Sequence, residues 1–167
     1  MIPYHYKIPD ILFVGINPHP GSLRRRVPFS NNKMFWYLLS DAGLIAESRE
    51  ELKNDKMLSK MYNEKFNTVY RLGFVNIIDR ATTNITKLLK DEELLGRERL
   101  TQVIKTEIPK VVCFIGKVTY KKYLGLKDCS FGWQEDIGNT KVFVMHSPLR
   151  GKATVRVKEL EEINKYR

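Results

Sequence analysis

The sequence predicts an α/β fold: a three-layer α/β/α sandwich around a mainly parallel central sheet of four to five strands. Two observations predict it. Four short apolar runs bounded by breakers, Asp10–Val14, Gly73–Ile78, Lys110–Ile115 and Lys141–Met145, read as buried strands. Segments with helical spacing separate them, and such alternation closes into a parallel sheet covered on both faces.

Each element has its own warrant. Ile11 to Val14 form the first strand, and Gly15-Ile16-Asn17-Pro18 ends it. The glycine permits a tight bend, the proline stops the strand from resuming, and Asn17 is left projecting a neutral amide. Lys33–Ala42 carries Phe35, Trp36, Leu38 and Leu39 on a helix stopped by Gly43. Glu47–Leu58 is polar and predicts one surface helix. Glu92–Ile108 has Leu95, Leu100, Val103, Ile104 and Ile108 at helical spacing, and Pro109 closes it. A short helix, Val118–Leu124, follows Gly116. Gln134–Ile137 and Lys141–Met145, joined by Gly138-Asn139-Thr140, read as a hairpin whose first arm is an edge strand. Val155–Tyr166 is a charged terminal helix with Leu160 and Ile163 facing inward.

Composition narrows the function. At 167 residues the chain is expected to form a single domain with one good core. No apolar run approaches the roughly 18 residues of a membrane span, so no membrane partner is expected. The start, Met-Ile-Pro-Tyr-His-Tyr-Lys, lacks a signal-peptide core, and a cytoplasmic, nucleoid-associated monomer is the expectation. Cys113 inside an apolar strand and Cys129 beside a turn offer no four-ligand pattern, so neither metal nor cofactor nor disulfide is expected. Charge is more informative: 29 Lys+Arg against 19 Asp+Glu give a net +10. Arg24-Arg25-Arg26 has no acid beside it in sequence, and Arg150, Lys152, Arg156 and Lys158 follow the last apolar strand. Clustered positive charge suits a polyanion such as nucleic acid, whereas a dispersed basic surface would not.

Open parallel sheets place ligands at the carboxyl ends of their strands. Two such ends are punctuated by polar loops here: Asn17-Pro18 after the first strand, and His146-Ser147-Pro148-Leu149-Arg150-Gly151 after the last. The two loops are expected at one end of the sheet, forming one site.

A set of short motifs then occurs in a fixed order: Gly15-Ile16-Asn17-Pro18; Pro28-Phe29; Asn32 with Phe35-Trp36; Asp41-Ala42-Gly43-Leu44; Gly73-Phe74-Val75-Asn76-Ile77-Ile78-Asp79-Arg80 with Thr82-Thr83; and Gly116-Lys117. In this order the chain resembles the mismatch-specific uracil/thymine-DNA glycosylase branch of the uracil-DNA glycosylase superfamily. It departs from that branch in having His19 where glycine is usual, and in one extra residue between Asn32 and Phe35. Its last loop is more similar to the His-Pro-Ser-Pro-Leu loop of the uracil-specific enzymes, minus one proline.

The resemblance implies hydrolysis of an N-glycosidic bond in DNA that contains uracil or a mismatched or deaminated base. Asn17 and His146 become the expected catalytic residues; Ile16, Phe29 and Asn76 the substrate-binding ones; Arg24, Arg25, Arg26, Ser147, Leu149, Arg150 and Lys152 the DNA-binding ones. The chemistry fits these types. An amide is no base, but its carbonyl oxygen can orient a water toward the sugar. Phe29 would stack on an extruded base, and Asn76 would read its Watson–Crick edge. His146, as a neutral imidazole donating one hydrogen bond, would stabilise charge on the leaving base. Leu149 would wedge into the stack beside Arg150.

Plainer readings stand beside each assignment. Asn17 would cap its own turn, Phe29 would be a core ring, and Asn76 a buried structural amide. His19 lines the site mouth or is a solvated loop histidine. Asp79-Arg80 reads as an ion pair fixing its loop. At the level of function, a glycosylase for another deaminated base such as hypoxanthine keeps the same scaffold. A non-catalytic nucleic-acid-binding domain keeps only the basic rim. A nucleotide- or flavin-binding module would need a phosphate loop after the first strand, and Asn-Pro-His-Pro offers few free N–H donors.

Overall fold

Side chains along the central strands alternate between two buried faces, and that alternation builds the layers. The computed structural model describes Met1–Arg167. Its strands are β1 (Ile11–Gly15), β2 (Leu72–Asn76), β3 (Val111–Ile115), β4 (Gly132–Ile137) and β5 (Thr140–Met145). They lie in the order β2-β1-β3-β5-β4, all parallel except β4, which pairs antiparallel with β5. The helices are α1 (Pro20–Arg25), α2 (Met34–Asp41), α3 (Arg49–Lys53), α4 (Asp55–Met61), α5 (Leu94–Glu107), α6 (Lys117–Leu124) and α7 (Ala153–Asn164).

One sheet face presents Ile11, Phe13, Phe74, Cys113, Phe143 and Met145 to α2, α3, α4 and α7. The other presents Leu12, Val14, Val112, Phe114, Val142 and Val144 to α5 and α6. The three-layer sandwich follows, with every residue of β1, β2 and β3 buried. Burying a side chain of leucine or phenylalanine size contributes roughly 1.5–3 kcal/mol, so these two cores carry the fold. The edge arm β4 alternates half-buried and exposed positions, and a positive φ at Gly138 (59°) makes its turn into β5. No helix is long and apolar enough to cross a membrane.

Three local expectations are corrected. The segment read as one surface helix over Glu47–Leu58 is broken at Asn54, whose ψ of 122° leaves the helical region. Asn54 Oδ1 instead accepts from Lys56 and Met57 N–H (2.9 and 3.1 Å) and starts α4. Nor is the segment all surface, because Leu52 and Leu58 are fully buried. After α4 the chain continues through a π-helical turn, Tyr62–Phe66, that seats Tyr62 and Phe66 against Trp36. The stretch after Pro18, expected as loop, contains α1; His19 caps it, its Nδ1 accepting from Gly21 N–H (2.9 Å). His19 is thus a helix cap.

Helix α5 approaches the chain beyond β2 at Gly96, where an added Cβ would collide with the Ile77 carbonyl oxygen. Backbone cannot yield that space cheaply, and the ~1 kcal/mol helix-propensity gain of alanine does not offset it. Gly96→Ala is expected to cost about 2 kcal/mol, about 6 °C in a thermal melt. An unchanged melting temperature would refute this close approach.

Candidate active site

Parallel pairing of β1 and β2 places Gly15 opposite Asn76 and then runs on past both strands. Ile77 N–H donates to Gly15 O (3.0 Å), Ile78 N–H to Ile16 O (2.8 Å) and Thr82 N–H to Pro18 O (3.1 Å). The two loops are stitched side by side at the carboxyl end of the sheet. Half-buried Asn17 sits in this seam. Its Nδ2 donates to Thr82 Oγ1 (2.8 Å), Arg80 O (3.0 Å) and Pro18 O (3.3 Å). Two of these partners are carbonyls, which only accept, and the Thr82 hydroxyl spends its proton on Asn84 O (2.9 Å). The amide orientation is therefore fixed, with NH2 on these acceptors and Oδ1 accepting no hydrogen bond from the protein. A turn cap would need Oδ1 to accept from its own loop, and that bond is not made.

Phe29 and Asn76 line the same region. Phe29 adopts a left-handed backbone (φ 53°), which a non-glycine residue holds only under constraint. The constraint is visible: Ser22 Oγ accepts from Ser30 N–H (2.9 Å), Ser30 Oγ donates to Val27 O (2.6 Å), and Trp36 Nε1 donates to Pro28 O (3.0 Å). The half-buried Phe29 ring leans on Phe35 and Phe74, with centroids 5.5 and 6.4 Å away. Asn76 is only 4% exposed, and its Nδ2 donates to the Tyr4 hydroxyl (2.8 Å). Burial pushes the Tyr4 phenol up to about 12, so it remains a neutral partner. A Cβ on Gly15 would overlap Asn76 Oδ1, which explains a glycine there. Ile16 is half-buried between the two strands' ends.

The third contributor is the loop after β5. Because β3 separates β1 from β5, its start lies about 10 Å along the sheet from the Asn17 loop, at the same end. His146 is held by α7: Glu159 Oε1 accepts its backbone N–H (3.0 Å), and Glu159 Oε2 lies 3.0 Å from Nδ1. Phe131 stacks on the imidazole at 3.5 Å between centroids, and the Lys117 ammonium lies over the Phe131 ring at 4.5 Å. Further on, Ser147 is half-buried, Leu149 is 54% exposed, and Arg150 and Lys152 are exposed.

The fold redistributes several charges. Arg24 and Arg26 are exposed, but Arg25 pairs with Asp55 (3.2 Å), an acid remote in sequence. Asp79 and Arg80 do not pair with each other: Asp79 pairs with Arg99 (2.7 Å) and Arg80 with Glu92 (2.5 Å). The Arg80 guanidinium and the Leu89 N–H hold the Glu92 carboxyl down at about 2, so this brace stays ionised at any ordinary pH. Arg156 does not face outward with the rim. It is 4% exposed, donates to Ser147 O (2.5 Å) and Lys152 O (2.6 Å), and fastens both ends of the 147–152 loop.

Thr82, Glu159, Phe131 and Arg156 are the site-forming residues that sequence reasoning missed or misplaced. Thr82 stood in a recognised motif without a role, Arg156 was read only as part of the basic cluster, and nothing in the pattern marks Phe131 or Glu159, whose partner His146 lies 15 and 13 residues away. No group of three His, Cys, Asp or Glu side chains is placed to hold a metal ion. Replacing Arg156 by Met, which keeps bulk and removes the donors, is expected to free the loop. Amide hydrogen exchange at residues 147–152 should then quicken by about tenfold or more, leaving β1 and β3 protected. Unaltered exchange in the loop would show that Arg156 does not brace it.

One end of the sheet thus carries an anchored amide (Asn17), an aromatic side chain on a left-handed backbone (Phe29), a buried amide (Asn76) and a clamped histidine (His146), with exposed Arg24, Arg26, Arg150 and Lys152 on the adjoining segments. The model of the Uracil DNA glycosylase superfamily matches residues 3–165, nearly the whole sequence. The chain belongs to the uracil-DNA glycosylase superfamily, whose members are DNA-repair glycosylases acting on DNA.

Proposed function

We propose that this protein hydrolyses the N-glycosidic bond of uracil in DNA, and of thymine in G·T mismatches, as a monofunctional glycosylase of the mismatch-specific branch. The observation that carries the reading is the Asn17 amide, tied down through its NH2 by three acceptors while its Oδ1 accepts no hydrogen bond from the protein. An amide oxygen held in this way aims a water at the sugar without acting as a base, which suffices for a good leaving group such as uracil. Phe29 supplies the stacking surface for an extruded base. Asn76 reads that base with the N–H and the carbonyl oxygen that Tyr4 leaves free. Leu149 fills the vacated stack, while Arg24, Arg26, Arg150 and Lys152 meet phosphates. The protein works as a monomer in the cytoplasm, at the nucleoid.

Oligonucleotides carrying uracil, a G·T mismatch or hypoxanthine, treated with alkali after incubation, test the substrate. Uracil cleavage dominates if the reading is right; a preference for hypoxanthine would favour the sister activity. Asn17→Ala should slow uracil release by at least about a hundredfold while DNA binding stays nearly intact. Retention of most of the rate would remove Asn17 from the mechanism, and no release from any substrate by the unaltered protein would favour a non-catalytic DNA-binding role.

The wedge is tested separately. Leu149→Ala should lower excision from duplex by about tenfold or more and from single strands by less than about twofold, because only a duplex imposes a stacking cost of a few kcal/mol. Equal losses on both substrates would mean that Leu149 acts in some way other than by replacing the extruded base.

A further inference from the structure

We propose that Glu159 is a positioning residue of this site: its carboxylate locks His146 with Nδ1 protonated, so that Nε2 donates a hydrogen bond to the departing base only while the ring is an imidazolium. The catalytic half of this inference rests on the glycosylase reading above, whereas the locked ring stands on geometry alone.

Protons around the imidazole can be counted one by one. Glu159 reaches from α7 and spends both oxygens on His146, one on the backbone N–H and one on Nδ1, each at 3.0 Å. An ionised carboxylate only accepts, so Nδ1 must carry a hydrogen. A neutral imidazole has one N–H, and with that hydrogen at Nδ1, Nε2 is a lone pair. Such a ring would turn an acceptor toward an oxygen that is gaining negative charge. Only the imidazolium supplies a second donor, and a charged donor is also the stronger one. In this proposal the donor to the base is a charged histidine, where the resemblance implies a neutral one.

Every element that meets the ring adds to its electrostatic surroundings. Phe131, stacked at 3.5 Å and 20° between planes, offers the negative face of its π-system, which attracts an imidazolium. From the start of α6 the Lys117 ammonium lies on that same phenyl ring, and from α7 the Arg156 guanidinium bonds the neighbouring Ser147 carbonyl. Both cations oppose a charge on His146, yet neither hydrogen-bonds the imidazole. Cys113 of β3 is a buried thiol pushed well up by that burial and further by the Glu159 charge, so it stays neutral. Glu159 is the group in direct contact, and Coulomb attraction is largest at contact.

Substitution of Glu159 by glutamine reverses the logic. The carbonyl of the new amide would keep the backbone N–H of His146, which leaves the amide NH2 facing Nδ1. That NH2 must donate, so Nδ1 becomes the lone pair and the neutral ring carries its hydrogen on Nε2. Glu159→Gln is thus expected to convert a donor that needs an acidic medium into one that does not.

Nitrogen NMR of the protein labelled in its histidines reads the tautomer directly. There are three, His5, His19 and His146, and His146→Gln identifies the relevant signals. Followed across about pH 5 to 9, the neutral ring of the unaltered protein should carry its proton on Nδ1; in Glu159→Gln it should carry that proton on Nε2. Single-turnover uracil release, followed over the same range, should fall about tenfold per pH unit on the alkaline side of the imidazole titration in the unaltered protein. It should stay flat there in Glu159→Gln, which should be slower by roughly tenfold on the acid side. An unprotonated Nδ1 in the unaltered protein, no alkaline fall, or the same fall in both proteins would each overturn the proposal. If no base is released from any substrate the glycosylase reading fails by itself, and the NMR result still decides whether Glu159 locks the ring.

Discussion

The site depends on the parallel pairing of β1 and β2 continuing beyond the strands themselves. Hydrogen bonds from Ile77 to Gly15, Ile78 to Ile16 and Thr82 to Pro18 hold two loops in register. That register alone brings the Arg80 carbonyl and the Thr82 hydroxyl to Asn17 Nδ2. A slip of one residue would turn every side chain of β2 to the opposite face and remove both acceptors. Gly15 is the residue that makes the pairing compatible with the site, because only the absence of a Cβ lets Asn76 Oδ1 lie over it. One backbone constraint therefore fixes both amides, Asn17 and Asn76.

The opposite wall is built differently. No strand pairs with the 146–152 loop, so its order comes from α7, which sends Glu159 to His146 and Arg156 to Ser147 and Lys152. Arg156 is a buried guanidinium with no carboxylate partner within salt-bridge distance. Withdrawing such a charge from water costs several kcal/mol, and backbone carbonyls offset this only in part. The left-handed Phe29 is a second costly feature, at about 1–3 kcal/mol. Both sit at the site end of the sheet, Phe29 against the margin of the first of the two hydrophobic cores and Arg156 under the 147–152 loop. Those cores, with Trp36, Phe13, Phe35 and Phe114 fully buried, supply the stability that sustains them.

Electrostatics separate into two populations. Arg25, Lys33, Arg80 and Arg99 are committed to Asp55, Glu92 and Asp79, so they brace loops. Arg24, Arg26, Arg150 and Lys152 are exposed and form no ion pair, and these give the site end its long-range field. An anion approaching that end meets charges already free of internal partners, so binding needs no ion pair to break.

Short-range chemistry was readable in the linear sequence. Four apolar runs between breakers gave the parallel strands within a residue or two, the hairpin at Gly138-Asn139 gave the edge arm, and Asn17 after Gly15 marked a strand end with an amide to spare. Local signals act over a few residues, and turn and strand preferences are of that kind. The break at Asn54 escaped this reading, although the residue carries a cap signal, since a polar pattern runs unbroken across it. What only the tertiary structure decided is pairing at a distance: Thr82 to Asn17, 65 residues apart, Asp55 to Arg25, 30 apart, and Glu159 to His146, 13 apart. Each pair depends on which helix covers which sheet face, and no periodicity encodes that. The protonation logic of His146 belongs to this second class, because the sequence names the imidazole while the fold chooses the group that faces its Nδ1.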